Sequence, residues 1–250
     1  SLNIILFLFI SDMKRIYLNN KLRENLIYSL DYNQSIHLSK SIRLKLNDKV
    51  IIFNNYDGEW LAVIENINKK KEISVKCLVK ISDPKNIPNI DLCFSPIKYK
   101  NSETIIRQST ELGIRNLYPT LFKRTVLKTI NEKKFDAYAI GAVQQSGRTQ
   151  IPIIKKMTKL KDQKANLVKK NIFMFDENLD GLDISKIEID KNKDICVIIG
   201  PEGGFIDEER DLLKSFSKNF YNLKLGSRIF KADTAVVSAL TLVFHYFDSE

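Results

Sequence analysis

The sequence is short of the residues on which most covalent and metal chemistry is built. Its 250 residues include three cysteines and two histidines. Cys77, Cys93 and Cys196 form no CxxC pair, and all lie in strand-like stretches. A disulfide framework or a zinc site therefore has no support, and the three read as reduced core residues of a cytoplasmic protein. His37 and His245 stand far apart with no acid beside them, so each reads as a structural histidine. No Ser-His-Asp set, P-loop or GxGxxG stretch occurs, which leaves hydrolysis, phosphoryl transfer and classical dinucleotide chemistry without a warrant. The apolar run Leu2 to Ile10 falls well below the roughly 20 residues of a membrane span, so no membrane partner is expected. Arginine is scarce too, with 9 against 31 lysines.

What is present is positive charge and a core. The formal net charge is +10 and the pI about 9.3, a balance that favours a polyanion such as RNA. Frequent Lys, Asn and Ile are also what an AT-rich genome produces whatever the function, so the arginines say more than the lysines. The apolar content of 44% suits a folded globular chain of one large or two modest domains.

The most informative stretch runs from Asp194 to Ala235. Ile195 to Ile199 is an apolar, β-branched run that reads as a strand buried on both faces. Gly200-Pro201-Glu202-Gly203-Gly204 follows as a sharp turn, and acids at 207 to 209 open a helix at the positive end of its dipole. Tyr221 to Leu225 is then a second strand, Gly226-Ser227-Arg228 a second loop, and a helix begins near Asp233 or Thr234. Two loops leaving the carboxyl ends of two strands mark the edge where open α/β sheets bind small ligands.

IGPEGGF at 199 to 205 and LGSRIFKADTA at 225 to 235 resemble the two C-terminal signatures of the RsmE family, and upstream TELGI at 110 to 114 and QQSGR at 144 to 148 resemble further segments of that family in the right order. That family comprises the 16S ribosomal RNA uracil-N3-methyltransferases of the SPOUT class. The resemblance runs from Met13 to Phe247. It implies an α/β SPOUT domain with a trefoil knot, an N-terminal PUA-like β-barrel that contacts RNA, and an obligate homodimer. It also implies S-adenosylmethionine as cofactor and 16S ribosomal RNA or the small subunit as partner. Main chain of residues 199 to 204 and 223 to 229 would hold the cofactor: Ile199, Gly200, Glu202, Gly203 and Gly204 on one side, and Leu223, Leu225, Gly226, Ser227, Arg228 and Ile229 on the other. Asp176 and Glu177 would form the first loop of the pocket. Lys231 and Asp233 stand where arginine and glutamate are commoner in the family, which keeps charge but alters reach.

The chain divides accordingly. Residues 1 to 12 read as an upstream extension, since Met13-Lys14-Arg15-Ile16-Tyr17 resembles the way family members begin; a signal peptide is the weaker alternative. From 13 to 82 the signals are short strands: Arg15 to Leu18, Val50 to Phe53, Glu59 to Ile64 and Ile73 to Val79, with a hairpin at Asn54 to Gly58 and a short helix at His37 to Lys45. Asn47 stands where the family usually has glycine and tolerates the same left-handed turn. Residues 1 to 82 carry 13 basic and 8 acidic residues, a denser positive charge than the remainder. Lys14, Arg15, Lys40 and Arg43 are candidate phosphate contacts. Pro84 and Pro88 mark a linker at 83 to 89, and from 90 to 250 strand and helix signals alternate, as in a parallel α/β sheet. Gln145 and Arg148 could position RNA or simply end a helix.

Methyl transfer requires little covalent help from the enzyme beyond holding donor and acceptor in line. Uracil N3 must lose its imide proton to become a nucleophile. Arg228 is the candidate to stabilise the resulting charge; Glu202 or Asp233 could accept the proton, or could cap a helix or pair with Arg228. No metal is called for. The rivals are a SPOUT enzyme acting on another RNA or a ribose 2′-hydroxyl, and a non-catalytic RNA-binding assembly factor.

Overall fold

The structure is a computed structural model that describes residues 13–176 and 180–247. The expected extension at 1 to 12 and Glu177 lie outside the described residues. The chain forms two units, one of residues 1–86 with 143–150, the other of 87–142 with 151–250. Val143–Gln150 thus groups with the first unit, which a division of the chain at 83 to 89 does not contain.

In the first unit, β1 (Arg15–Tyr17), β2 (Ile27–Ser29), β3 (Lys49–Asn54), β4 (Gly58–Ile67) and β5 (Ile73–Ser82) form one sheet in the order β1-β3-β4-β5-β2. β1 runs parallel to β3 and the other pairs are antiparallel. Its two edge strands, β1 and β2, are not paired with each other, so the expected barrel is an open half-barrel. The β3–β4 hairpin turns where Asn54-Asn55-Tyr56-Asp57-Gly58 predicts. Asn54 Oδ1 accepts from the amides of Tyr56 and Asp57 at 2.9 and 2.6 Å. Gly58 sits at φ +77°, and a Cβ there would stand 2.1 Å from the Ser82 carbonyl oxygen. Asn47 takes the left-handed conformation, φ +69°, as its side chain allows. A capped helical turn, α1 (Tyr32–Ile36), runs on into a π-helical turn to Ile42. Inward residues of every strand join one core around Ile16, Val50, Ile52, Ala62, Ile64, Val75 and Cys77. His37 is exposed rather than part of that core.

The second unit holds β6 (Ile90–Phe94), α2 (Tyr99–Leu112), β7 (Asn116–Leu121), α3 (Glu132–Ser146, whose last turn groups with the first unit), β8 (Ile153–Ile154), β9 (Thr158–Lys159), α4 (Lys164–Leu167), β10 (Asn171–Phe175), β11 (Ile195–Ile199), α5 (Asp207–Phe216), β12 (Phe220–Leu223) and α6 (Ala232–Phe247). The sheet order is β12-β10-β11-β6-β7-β8, with β9 added on β7, and every pair is parallel. Alternate residues of the central strands serve opposite faces. Leu92, Phe94, Phe173, Phe175, Val197 and Ile199 face a core shared with α2 and α6. Cys93, Ile172, Met174, Cys196 and Ile198 face one completed by Leu213 and Phe216 of α5. Burial on both sides explains why these strands read as unbroken apolar runs. His245, near the end of α6, is exposed.

Asp91, the second residue of β6, is a fully buried carboxylate in an otherwise apolar strand. Arg115 donates to it through Nε at 3.1 Å and Nη2 at 3.0 Å, Asn116 through Nδ2 at 2.7 Å, and Lys170 through Nζ. Arg115 also reaches Asp194. The cluster ties together the amino-terminal ends of β6, β7, β10 and β11. Burial pushes the Asp91 carboxyl up, but the bonds from Arg115 and Lys170 outweigh it and hold the group below its ordinary value of 3.8.

Candidate functional site

The parallel register aligns the carboxyl ends of three strands. Phe175 pairs with both Ile199 and Leu223, so the chain leaves β10, β11 and β12 at one level. Between those exits lies an open cleft. Its floor is apolar, from Phe175, Ile199, Phe205, Ala232 and Ala235, and its walls come from Gly200, Pro201, Glu202 and Gly204 and from Lys224, Leu225, Gly226, Arg228, Ile229 and Phe230. An apolar floor with main-chain polar groups at its edge is the chemistry of a small-ligand pocket.

The expected cofactor residues Ile199, Gly200, Glu202, Gly204, Leu225, Gly226, Arg228 and Ile229 all line this cleft. Leu223 is buried in β12 just beneath it, and exposed Ser227 lies on the loop without lining it. Gly203 faces away, against Arg124. The glycines divide by reason. A Cβ on Gly200 would meet the Phe205 ring at 2.8 Å, and one on Gly203 would meet Arg124 Cδ at 3.2 Å, so packing inside the protein excludes side chains there. Gly204 and Gly226 instead adopt φ of +73° and +111°, which favours glycine by itself. The space where a Cβ on Gly226 would project is open, with no atom within 4 Å. At Gly226 the bare main chain is therefore approachable, which fits a ligand held by backbone groups.

Of the three candidate catalytic residues, Arg228 and Glu202 are exposed side chains of residues on the rim of the cleft. Asp233 lies in the first turn of α6, outside the cleft lining, and its Oδ1 accepts from the Thr234 amide at 3.0 Å. Among the described residues no ion pair joins Arg228 to either acid. Asp176, which also lines the cleft, is gripped by Arg210 of α5 through Nε at 2.6 Å and Nη2 at 3.3 Å. Hydrogen bonding to Asp176 in turn raises the Arg210 guanidinium above its ordinary value.

Gly181 was invisible as a site residue in sequence. Residues 181 to 183 lie along β12: the Leu182 amide donates to the Asn222 carbonyl at 2.8 Å, and the Lys224 amide to the Leu182 carbonyl at 3.1 Å. A Cβ on Gly181 would stand 2.6 Å from the Leu223 carbonyl carbon. Only glycine lets this segment approach the strand end that carries the cleft wall.

In the first unit a second, polar depression is lined by Lys14, Arg15, Asn33, His37, Gln144 and Gln145 among others. Lys14, Lys40, Arg43 and Gln145 are exposed. Arg15 is not: it pairs with Glu59, lies 4.4 Å over the Phe53 ring and donates to the Arg148 carbonyl at 2.7 Å. Among the described residues no His, Cys, Asp and Glu group could hold a metal, and no helix is long and apolar enough to cross a membrane.

A model of the RNA methyltransferase domain matches residues 83–244, and one of the RNA methyltransferase PUA domain matches 31–77. The ribosomal RNA small subunit methyltransferase E of Rickettsia conorii is 33% identical over 235 residues, covering 92% of this chain and 94% of the relative. The chain belongs to the ribosomal RNA small subunit methyltransferase E family. Another member, from Buchnera aphidicola, is 29% identical with 91% of each chain covered. Solved structures share the fold. A putative methyltransferase of Legionella pneumophila, in complex with bound cofactor SAM, superposes with a TM-score of 0.83 at 25% identity, covering 93% of this chain and 97% of that one. The methyltransferase E of Neisseria gonorrhoeae has the same fold, with a TM-score of 0.84 at 21% identity and coverage of 94% and 98%. The SPOUT α/β domain with a PUA domain expected from the four motifs is the fold of this family member.

Proposed function

We propose that this protein transfers a methyl group from S-adenosylmethionine to N3 of a uridine in 16S ribosomal RNA, acting in the cytoplasm as a homodimer. The observation that carries the reading is the cleft at the level ends of β10, β11 and β12, with the open, positive-φ backbone of Gly226 in its wall. Bound S-adenosylmethionine supplies an activated methyl group on a sulfonium. The apolar floor of Phe175, Ile199 and Phe205 takes a nucleoside face, and main chain at 199 to 204 and 224 to 229 takes its polar edge.

The residues on the rim prepare the acceptor. Arg228, exposed at the cleft, holds the uracil and stabilises the imide anion as N3 gives up its proton. Glu202 is the better placed of the two acids to receive that proton, because the Asp233 carboxylate already accepts a bond at the start of α6. On the first unit, residues 13 to 82 form the RNA-contacting module, and exposed Lys14, Lys40, Arg43 and Gln145 meet phosphate and sugar. Arg15 contributes by holding β1 to Arg148, not by offering free charge. The trefoil knot belongs to the same reading. The homodimer belongs to this reading as the family resemblance implies it.

Calorimetric titration with S-adenosylhomocysteine tests the cofactor step, with saturation near one site per protomer expected. Mass spectrometric mapping of 16S RNA incubated with enzyme and cofactor tests the chemistry. A folded protein that takes up no S-adenosylhomocysteine refutes the reading.

A further inference from the structure

The connection from β7 to α3 folds back onto the glycine turn at several points. The Phe122 ring meets the Phe205 ring edge-on, with centroids 5.4 Å apart. The Lys123 amide donates to Glu209 Oε1 at 2.6 Å, and the other oxygen of that carboxylate accepts from the Ile206 amide at 3.2 Å. Thr125 Oγ1, buried, bonds Ser95 Oγ at 2.9 Å and accepts from the Phe122 amide at 2.8 Å, which fixes the connection itself. Arg124 then lies across the turn. Its Nη1 donates to the Gly203 carbonyl, and its methylenes cover the face of Gly203 where a side chain would be.

Gly203 and Gly204 are adjacent glycines closed into a turn by the bond from the Gly204 amide to the Pro201 carbonyl, 2.8 Å. Such a pair has many backbone states of similar energy; the bond to Pro201 holds the 203–204 peptide unit on its N–H side only, so its carbonyl side needs a partner outside the turn. A cationic donor on the Gly203 carbonyl does so, and charge-assisted bonds are the stronger kind. Arg124 is exposed, makes no ion pair among the described residues, and does not line the cleft. We propose that Arg124 is a positioning residue for the cofactor cleft, acting through the Gly203 carbonyl to hold the turn in the conformation that presents Gly204. This rests on the cofactor reading of the cleft for its functional consequence, though not for its structural one.

Two measurements separate those levels. In hydrogen–deuterium exchange on the ligand-free protein, Arg124→Met keeps the aliphatic cover but loses the donor. Exchange at the Gly204 amide should then rise about tenfold while the strand amides stay unchanged. In titration with S-adenosylhomocysteine, R124M and R124A should each bind about tenfold more weakly, the loss expected for one exposed charge-assisted bond. R124K should recover most of the affinity. Gly203→Ala displaces the Arg124 stem and should weaken binding by itself, yet add nothing to R124A, because both remove one interaction. With RNA substrate, KM for S-adenosylmethionine should rise while kcat changes less than about twofold. Unchanged exchange at Gly204 in R124M, or additive losses in R124A with G203A, overturns the proposal. A wild-type protein that fails to bind S-adenosylhomocysteine refutes the cofactor reading instead, and the exchange experiment still decides the role of Arg124.

Discussion

Replacing Asp91 with alanine tests whether the buried charge cluster holds the second unit's sheet together. The Asp91 side chain is completely buried and accepts bonds from Arg115, Asn116 and Lys170. Removing one partner of a buried ion pair costs about 3–5 kcal/mol, because the remaining charge stays desolvated. Here the cations are not stranded entirely. Arg115 keeps Asp194 and Asn89, and its side chain is 24% exposed, while Lys170 keeps the Tyr118 hydroxyl. The lower end, about 3 kcal/mol, is therefore expected, which corresponds to a fall of roughly 6–12 °C in Tm for a chain of this size. Acid adds a second readout through Asp91→Asn. Because the Asp91 carboxyl is depressed in the fold, its stabilisation is complete above the unfolded value near 3.8 and is lost as pH falls through the lower folded value. Urea midpoints measured between about pH 2 and 5 should therefore fall more steeply for wild type than for D91N. A D91A midpoint within about 0.5 kcal/mol of wild type, or parallel acid limbs, would refute the assignment.

Three further outcomes are expected. Gly181→Ala, which drives a Cβ into main chain at the end of β12, should cost about 1–3 kcal/mol in urea unfolding and weaken S-adenosylhomocysteine binding in calorimetry. Arg228→Ala should lower single-turnover methylation by about 10²–10³-fold while leaving S-adenosylhomocysteine affinity within about threefold, since an anion-stabilising group acts in the transition state. Burial pushes the Cys93 thiol up to about 12 and Cys77 up to about 11, and Cys196 is raised as well, so a chromogenic disulfide reagent at pH 8 should modify none of the three before urea unfolds the chain.

The strands buried on both faces were the most legible part of this sequence, because β6, β10 and β11 need apolar residues at nearly every position. β2, β8 and β9, of two or three residues each, are too short to show any period, and sequence reading passed over them. The glycine turn was legible as a site, but its reason was only partly so: Gly200 and Gly203 answer to Phe205 and Arg124, partners contributed by other parts of the chain. Arg124 and Gly181 carried no local signal, since what each touches is 79 and about 42 residues away. Arg15 read as a phosphate contact because sequence shows a charge but not the Glu59 carboxylate that neutralises it.

The first unit draws on residues on both sides of much of the second. The Tyr17 amide is bonded by Gln144, Arg15 by the Arg148 carbonyl, and Gln150 Nε2 donates to the carbonyls of Asn55 and Lys85. On a translating ribosome, the half-barrel therefore waits for residue 150 before its edge strand β1 is satisfied, by which time β6, α2, β7 and α3 have already been made. A gene fragment cut at the proline-marked stretch near residue 86 would produce a sheet with that edge open to pairing with another copy, so isolating the first unit requires grafting the 143–150 segment onto it rather than shortening the chain.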